Sequence, residues 1–146
     1  MAIKIENYPY KIGEAARQLG ISVHTIRMYE REGILICFKN KAGTRFFNDT
    51  DIHWIEKIQG LISDGMNIDG IRRMLSLVPC WNLYSCDPHA DGTCPVYLDN
   101  TMPCWAKKDN HCRVDILTCK ECLVYQKRFD TIVLKHKAFI QFKDLN

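Results

Sequence analysis

Thr25-Ile26-Arg27-Met28-Tyr29-Glu30-Arg31-Glu32-Gly33-Ile34-Leu35 is the stretch on which the fold turns. It reads as a short helix that stops at Gly33 and passes into an apolar, β-prone run. Ser22 is placed to cap that helix, which is expected from Val23 to about Arg31 with Val23 and Ile26 inward. On the N-terminal side, Ile12, Ala15, Ala16 and Leu19 recur at the spacing of one helical face, predicting a helix over Lys11 to Leu19. Gly20 follows, where a left-handed residue is wanted after a helix end. Two short helices meeting across Gly20-Ile21-Ser22 make a helix-turn-helix layout.

Beyond Gly33, two β-prone runs, Ile34 to Phe38 and Thr44 to Phe47, flank the polar turn Lys39-Asn40-Lys41-Ala42-Gly43 and predict a hairpin. Asn48 to Asp51 offers several N-caps for a third helix, whose apolar face is Ile52, Ile55, Ile58, Leu61 and Ile62, with Gly65 as its stop. Asn67 caps a fourth helix, Ile68 to Leu77, with Ile71, Met74 and Leu75 inward, and Pro79 bars its continuation. Near the C-terminus Tyr125, Phe129, Ile132, His136 and Phe139 alternate at four- and three-residue spacing, the seam of a terminal helix from about Lys120 to Phe142.

Composition bounds the partners. The 146 residues have the apolar and charged fractions of a globular protein and no apolar run long enough for a membrane helix. The N-terminus lacks an apolar signal core, so a cytoplasmic location is expected. Net charge is only +3, but Arg17, Arg27, Arg31, Lys39, Lys41 and Arg45 face only Glu30 and Glu32 between residues 17 and 45. A local basic face of that kind suits phosphate. A nucleotide-binding Gly-rich loop, a nucleophile–base pair and a flavin motif are all missing, so no catalytic residues are assigned and an enzyme is not expected.

In this order the motifs are recognisable. Tyr10-Lys11-Ile12-Gly13-Glu14-Ala15-Ala16, the stretch Thr25 to Leu35, Gly43-Thr44-Arg45-Phe46-Phe47, and Asp64-Gly65-Met66-Asn67 with Ile71-Arg72 resemble the winged helix-turn-helix of the MerR family of transcription regulators. The resemblance covers about seventy residues and implies a DNA-binding domain over 8–78. Its second helix would enter the major groove of promoter DNA. His24, Thr25 and Met28 are the exposed candidates for base readout, Arg17, Arg27 and Arg45 for phosphate, and Tyr29 resembles the family's backbone-contacting aromatic. The family implies a homodimer on a promoter whose two polymerase-recognition elements are too far apart. Distortion of the spacer realigns them, so RNA polymerase is engaged indirectly. In the family a long dimerisation helix follows the fourth helix. Here Pro79 and a cysteine segment stand in its place, which passes dimerisation to the terminal helix, 126–146, or to the cysteine segment.

Residues 79–125 hold seven of the eight cysteines and read as one unit written twice. Pro79-Cys80-Trp81, Cys86 and Cys94-Pro95-Val96-Tyr97 are echoed by Pro103-Cys104-Trp105, Cys112 and Cys122-Leu123-Val124-Tyr125, with Cys119 added. The pattern resembles a small two-CW cysteine module attached to bacterial signalling proteins. Cysteine clusters outside secreted proteins usually coordinate metal, so Cys80, Cys86, Cys94, Cys104, Cys112, Cys119 and Cys122 are the candidate ligands. An iron–sulfur cluster and zinc are weighed equally, ahead of reversible disulfides, with His89 or His111 able to complete a mixed zinc site. Trp81 and Trp105 either shield the site from water or anchor the core, and Cys37 is expected to be a buried apolar residue.

The reading is thus a mainly α protein: a MerR-type winged helix-turn-helix domain, a small irregular cysteine-rich domain and a C-terminal helix. Its expected function is sequence-specific transcription regulation, responsive to metal or redox state. Two rivals remain: the same regulator with a purely structural zinc or partner-binding module, and an iron–sulfur electron-transfer protein.

Overall fold

The computed structural model describes residues 5–77, 98–99, 101–107 and 116–132. Strand β1 (Tyr10–Lys11) runs directly into α1 (Ile12–Leu19), which ends on Gly20 in the left-handed region at φ 66°. Helix α2 (Val23–Arg31) then starts on the Ser22 side chain, which accepts the Thr25 backbone N–H at 3.1 Å. The turn between α1 and α2 and the cap are those the sequence predicts. Strands β2 (Phe38–Lys39) and β3 (Arg45–Phe47) form the hairpin, and β1 adds to its far side to give an antiparallel sheet in the order β1-β3-β2. Tyr10 pairs with Phe47, and Phe38 with Phe46.

Helix α3 (Asp49–Ser63) opens with a capping box: Asn48 accepts from the Asp51 N–H at 2.9 Å, and Asp51 accepts from the Asn48 N–H at 3.1 Å. Helix α4 (Ile68–Leu75) is capped by Asn67. Arg72 reaches from α4 to Glu32 at 2.9 Å, tying α4 to the end of α2. Further on lie a single 3₁₀ turn (Cys104–Ala106), α5 (Ile116–Glu121), α6 (Leu123–Gln126) and a helical stretch at 128–132.

Several expectations are corrected. Lys11 belongs with Tyr10 to a strand rather than to the start of α1, because β3 offers them an open edge. The run Ile34 to Cys37 is not strand. Its four side chains are all buried, so there is no alternation between core and solvent, and only Phe38–Lys39 joins the ladder. Helix α4 ends at Leu75, and Ile62 is exposed while Trp54 is fully buried in its stead. The terminal helix is not continuous, because Cys122 is extended between α5 and α6. On an unbroken helix Lys120 and Tyr125 would stand about 140° apart, whereas the break turns both toward Ile36. Its seam is not left open either. Tyr125 and Ile132 are buried in the same core as Ile26, Ile55 and Ile71, and Phe129 stacks on His53 and meets Trp54 edge-on. His136 and Phe139 lie outside the described residues.

The connection 33–37, between α2 and β2, is where the two halves of the chain meet. Buried backbone groups need partners, and with no neighbouring strand among the described residues side chains supply them. The Trp54 indole donates to Ile34 O at 2.8 Å, and the Trp105 indole donates to Gly33 O at 2.7 Å. Ile36 N–H donates to the Tyr125 hydroxyl at 3.1 Å, and the Lys120 ammonium donates to Ile36 O at 2.7 Å. Lys120 also pairs with Asp51 at 2.7 Å, both side chains being at most 5% exposed. The fit is close: Gly33 has φ 80°, and a Cβ there would stand 2.6 Å from that of Ala106. Arg128, also buried, lays its guanidinium 3.8 Å from the Tyr125 ring centre and 5.0 Å from that of Trp54, and donates to Tyr125 O at 2.8 Å. Burial lowers its pKa.

Candidate nucleic-acid interface

Helices α1 and α2 and the hairpin carry the expected basic side chains. His24 and Arg27 are exposed on α2, and Arg17 is exposed on α1. Among the described residues neither Arg17 nor Arg27 is in an ion pair. An open cleft of about 760 Å³ lies between the start of α1 and the hairpin, lined by Lys11, Glu14, Arg17, Thr44, Arg45 and Phe46 among others. It brings Arg17 and Arg45 to one place and adds Lys11, which sequence reasoning had not singled out as a contact.

Thr25 and Met28 are not exposed candidates, as the sequence had suggested; both are half-buried. The Thr25 hydroxyl lies 3.0 Å from the Ser22 hydroxyl at the cap, and Met28 packs against the core. Tyr29 has its ring in the core, 3% exposed, and its hydroxyl is neither hydrogen-bonded nor enclosed among the described residues. Only that oxygen is left to meet a phosphate.

Arg45 is held rather than free. Its Nε–H donates to Glu30 of α2, which also pairs with Lys39 of β2 at 2.7 Å. Glu30 therefore clamps both hairpin strands to the second helix, a role sequence reasoning missed because the three residues are far apart along the chain. Arg45 also lines the cleft. Burial by itself would raise the Glu30 carboxyl, but hydrogen bonds from Lys39 and Arg45 and their charges outweigh it and hold it below its ordinary 4.5. A depressed carboxyl stabilises the fold above its ordinary pKa, and that stability is lost as pH falls through the lowered value. Glu30→Gln is therefore expected to flatten the loss of stability as pH falls below 4.5, measured by urea denaturation on the acid side of that value; a slope equal to the wild type's would remove Glu30 from the clamp.

Of the candidate metal ligands, Cys80, Cys86, Cys94 and Cys112 lie outside the described residues, as do Trp81, His89 and His111. Cys119 is buried, and Cys104 and Cys122 are half-buried. Among the described residues no three Cys, His, Asp or Glu side chains gather as a metal site. Trp105 is a core anchor: 3% exposed, edge-on to Tyr125 at 4.9 Å, and bonded to Gly33. Cys37 is buried as expected, and burial pushes its thiol far above the ordinary range. Sequence reasoning named Asp51 only among N-cap candidates and Lys120 only as a helix start, and it missed Trp54 and Arg128 altogether.

Residues 10–77 match the family model described as MerR HTH family regulatory protein. An uncharacterized HTH-type transcriptional regulator of Haemophilus influenzae is 37% identical over 65 residues, 44% of this chain and 48% of that protein. The HTH-type transcriptional regulator AdhR of Bacillus subtilis is 36% identical over 61 residues, 41% of this chain and 44% of the relative. The match thus spans about half the length of these curated relatives. The crystal structure of HiNmlR, a MerR family regulator lacking the sensor domain, bound to promoter DNA, aligns over 93% of each chain with TM-score 0.43 and 23% identity. Helix-turn-helix, hairpin wing, capped third helix and family match coincide over one stretch, and residues 10–77 form a winged helix-turn-helix similar to that of the MerR family.

Proposed function

We propose that the chain is a sequence-specific transcription regulator that binds double-stranded promoter DNA through α2 and the wing. The observation that carries this is a helix-turn-helix whose second helix exposes His24 and Arg27, together with a cleft between α1 and the hairpin that gathers Lys11, Arg17 and Arg45. In such a unit the second helix enters the major groove, with residues near its N-terminus at base edges. His24 is then the base-reading side chain, and Arg17, Arg27, Arg45 and the Tyr29 hydroxyl hold phosphates. The relatives' names as HTH-type transcriptional regulators support the same reading. The resemblance adds a homodimer and an indirect action on RNA polymerase through promoter distortion. No enzymatic step is part of it. Among the described residues no helix is long and apolar enough to cross a membrane.

The test is selection from a pool of randomised duplexes by the purified chain. A consensus is expected. Arg27→Ala should then weaken selected and unrelated duplexes alike and reduce the salt slope by about one counterion unit. Failure to enrich any duplex overturns the reading.

A finer reading concerns control. Cys104, Cys119 and Cys122 lie next to or within three residues of Trp105, Lys120 and Tyr125, the side chains that hold the connection 33–37. Thiolates suit zinc or an iron–sulfur cluster, and either would fix the chain beside these contacts. Elemental content and the visible spectrum of protein purified without oxygen distinguish the two. Protein with neither metal leaves reversible disulfides as the remaining chemistry.

A further inference from the structure

We propose that Trp105, Lys120 and Tyr125 are positioning residues for DNA recognition, setting the angle between α2 and the wing although none touches DNA. The inference rests on the DNA-binding reading.

The connection 33–37 is held at both ends. At its start, Gly33 and Ile34 donate their N–H groups to Glu30 O and Tyr29 O of α2, at 3.1 Å each. The connection therefore continues the helix end without slack. At its far end Phe38 enters β2, and Lys39 and Arg45 of the wing are clamped to Glu30. The path from reading helix to wing is thus a closed frame of α2, the connection and the wing, joined back to α2 through Glu30.

Four further backbone groups of the connection are fixed from outside that frame. Only one, Ile34 O, is fixed from within the winged helix-turn-helix, by Trp54. Gly33 O, Ile36 N–H and Ile36 O are fixed by Trp105, Tyr125 and Lys120, all beyond residue 77. The contact is also anchored to α3, because Lys120 pairs with Asp51 inside the α3 capping box. A shift of the C-terminal segment would release three backbone groups at once, and the connection would have to twist or admit water to satisfy them. Base-edge readout needs α2 at a set angle in the groove, whereas phosphate attraction tolerates displacement. Loosening the connection should therefore cost sequence-specific binding and leave non-specific binding nearly intact.

Tyr125→Phe removes the acceptor of the Ile36 N–H and keeps the ring. Lys120→Met removes the ammonium, and Lys120→Arg keeps a buried cation. Each full-length variant is titrated by fluorescence anisotropy with the duplex selected by the wild type and with a scrambled duplex of equal length, after thermal melting confirms folding. Tyr125→Phe is expected to bind the selected duplex about fivefold more weakly, the loss of one neutral hydrogen bond, and Lys120→Met by about tenfold or more. Affinity for the scrambled duplex should change by less than about twofold, since the phosphate contacts remain. Lys120→Arg should recover part of the specific affinity. If folded Tyr125→Phe binds both duplexes as the wild type does, or loses both in equal proportion, the positioning role is overturned while the DNA-binding reading stands. A Lys120→Met chain that does not fold leaves Tyr125→Phe to decide. A wild type that selects no duplex overturns both.

Discussion

Asp51→Ala is expected to lower the unfolding free energy by about 3–5 kcal/mol, the usual cost of breaking a buried ion pair from one side. The Lys120 ammonium would stay buried with no carboxylate beside it among the described residues, keeping Ile36 O and the Tyr8 and Tyr125 rings. The α3 capping box would also lose the bond from the Asn48 N–H to the Asp51 carboxylate, while the backbone N–H of residue 51 still donates to Asn48. Asp51→Asn separates the two effects: an amide oxygen can still accept from the Asn48 N–H, but it cannot neutralise Lys120. The asparagine variant should therefore lie between wild type and alanine in equilibrium denaturation. Replacing the pair together, Asp51→Leu with Lys120→Met, should cost less than Asp51→Ala alone, because no charge is stranded. Loss of less than about 1 kcal/mol in Asp51→Ala, the range of surface pairs, would mean the pair is solvated.

Trp105→Ala is the second large effect, expected at about 3–5 kcal/mol for removing a buried indole. Here the loss is directional, because it frees Gly33 O and removes the edge-on partner of the Tyr125 ring. Cys37 reports it. That thiol and Trp105 line one cleft of about 220 Å³ beneath the connection, and Cys37 is 3% exposed. A buried thiol of raised pKa reacts slowly with alkylating reagents. Peptide mass spectrometry after brief alkylation should find Cys37 protected in the wild type and modified in Trp105→Ala. Equal labelling of the two proteins would show that Trp105 does not cover the connection.

The winged helix-turn-helix was legible in the sequence because its signals are local. Ser22 capping α2, Gly20 ending α1 and Asn67 capping α4 each lie within a turn of the helix they shape. The seam between the halves was not legible, because its bonds join residues far apart. Trp105 and Gly33 are separated by 72 positions, Lys120 and Ile36 by 84, and Tyr125 and Ile36 by 89. Nothing near Lys120 says that its ammonium is buried, since a lysine in a polar helix reads as a solvated charge. Ile34 to Cys37 misled for a related reason. An apolar run predicts burial but not what satisfies its backbone, and here side chains take the place of a neighbouring strand. In the candidate interface, the basic residues of α1, α2 and the wing are visible in the sequence as charge, while the packing of Met28 and Tyr29 needed the third dimension.

The covered connection also limits how this reading head can be reused. A chimera that keeps residues up to 77 and grafts on another sensor would strip the lid from Ile34, Leu35 and Ile36, which are at most 2% exposed in the intact chain. The bared strip runs straight into β2, an edge strand of the sheet. Apolar surface beside an open strand edge invites a second chain to pair there. Any transplant would have to carry the 104–125 cover along with the helices or repaint the strip with polar side chains, and without one of these it should collect as aggregate before it could be tried on a promoter.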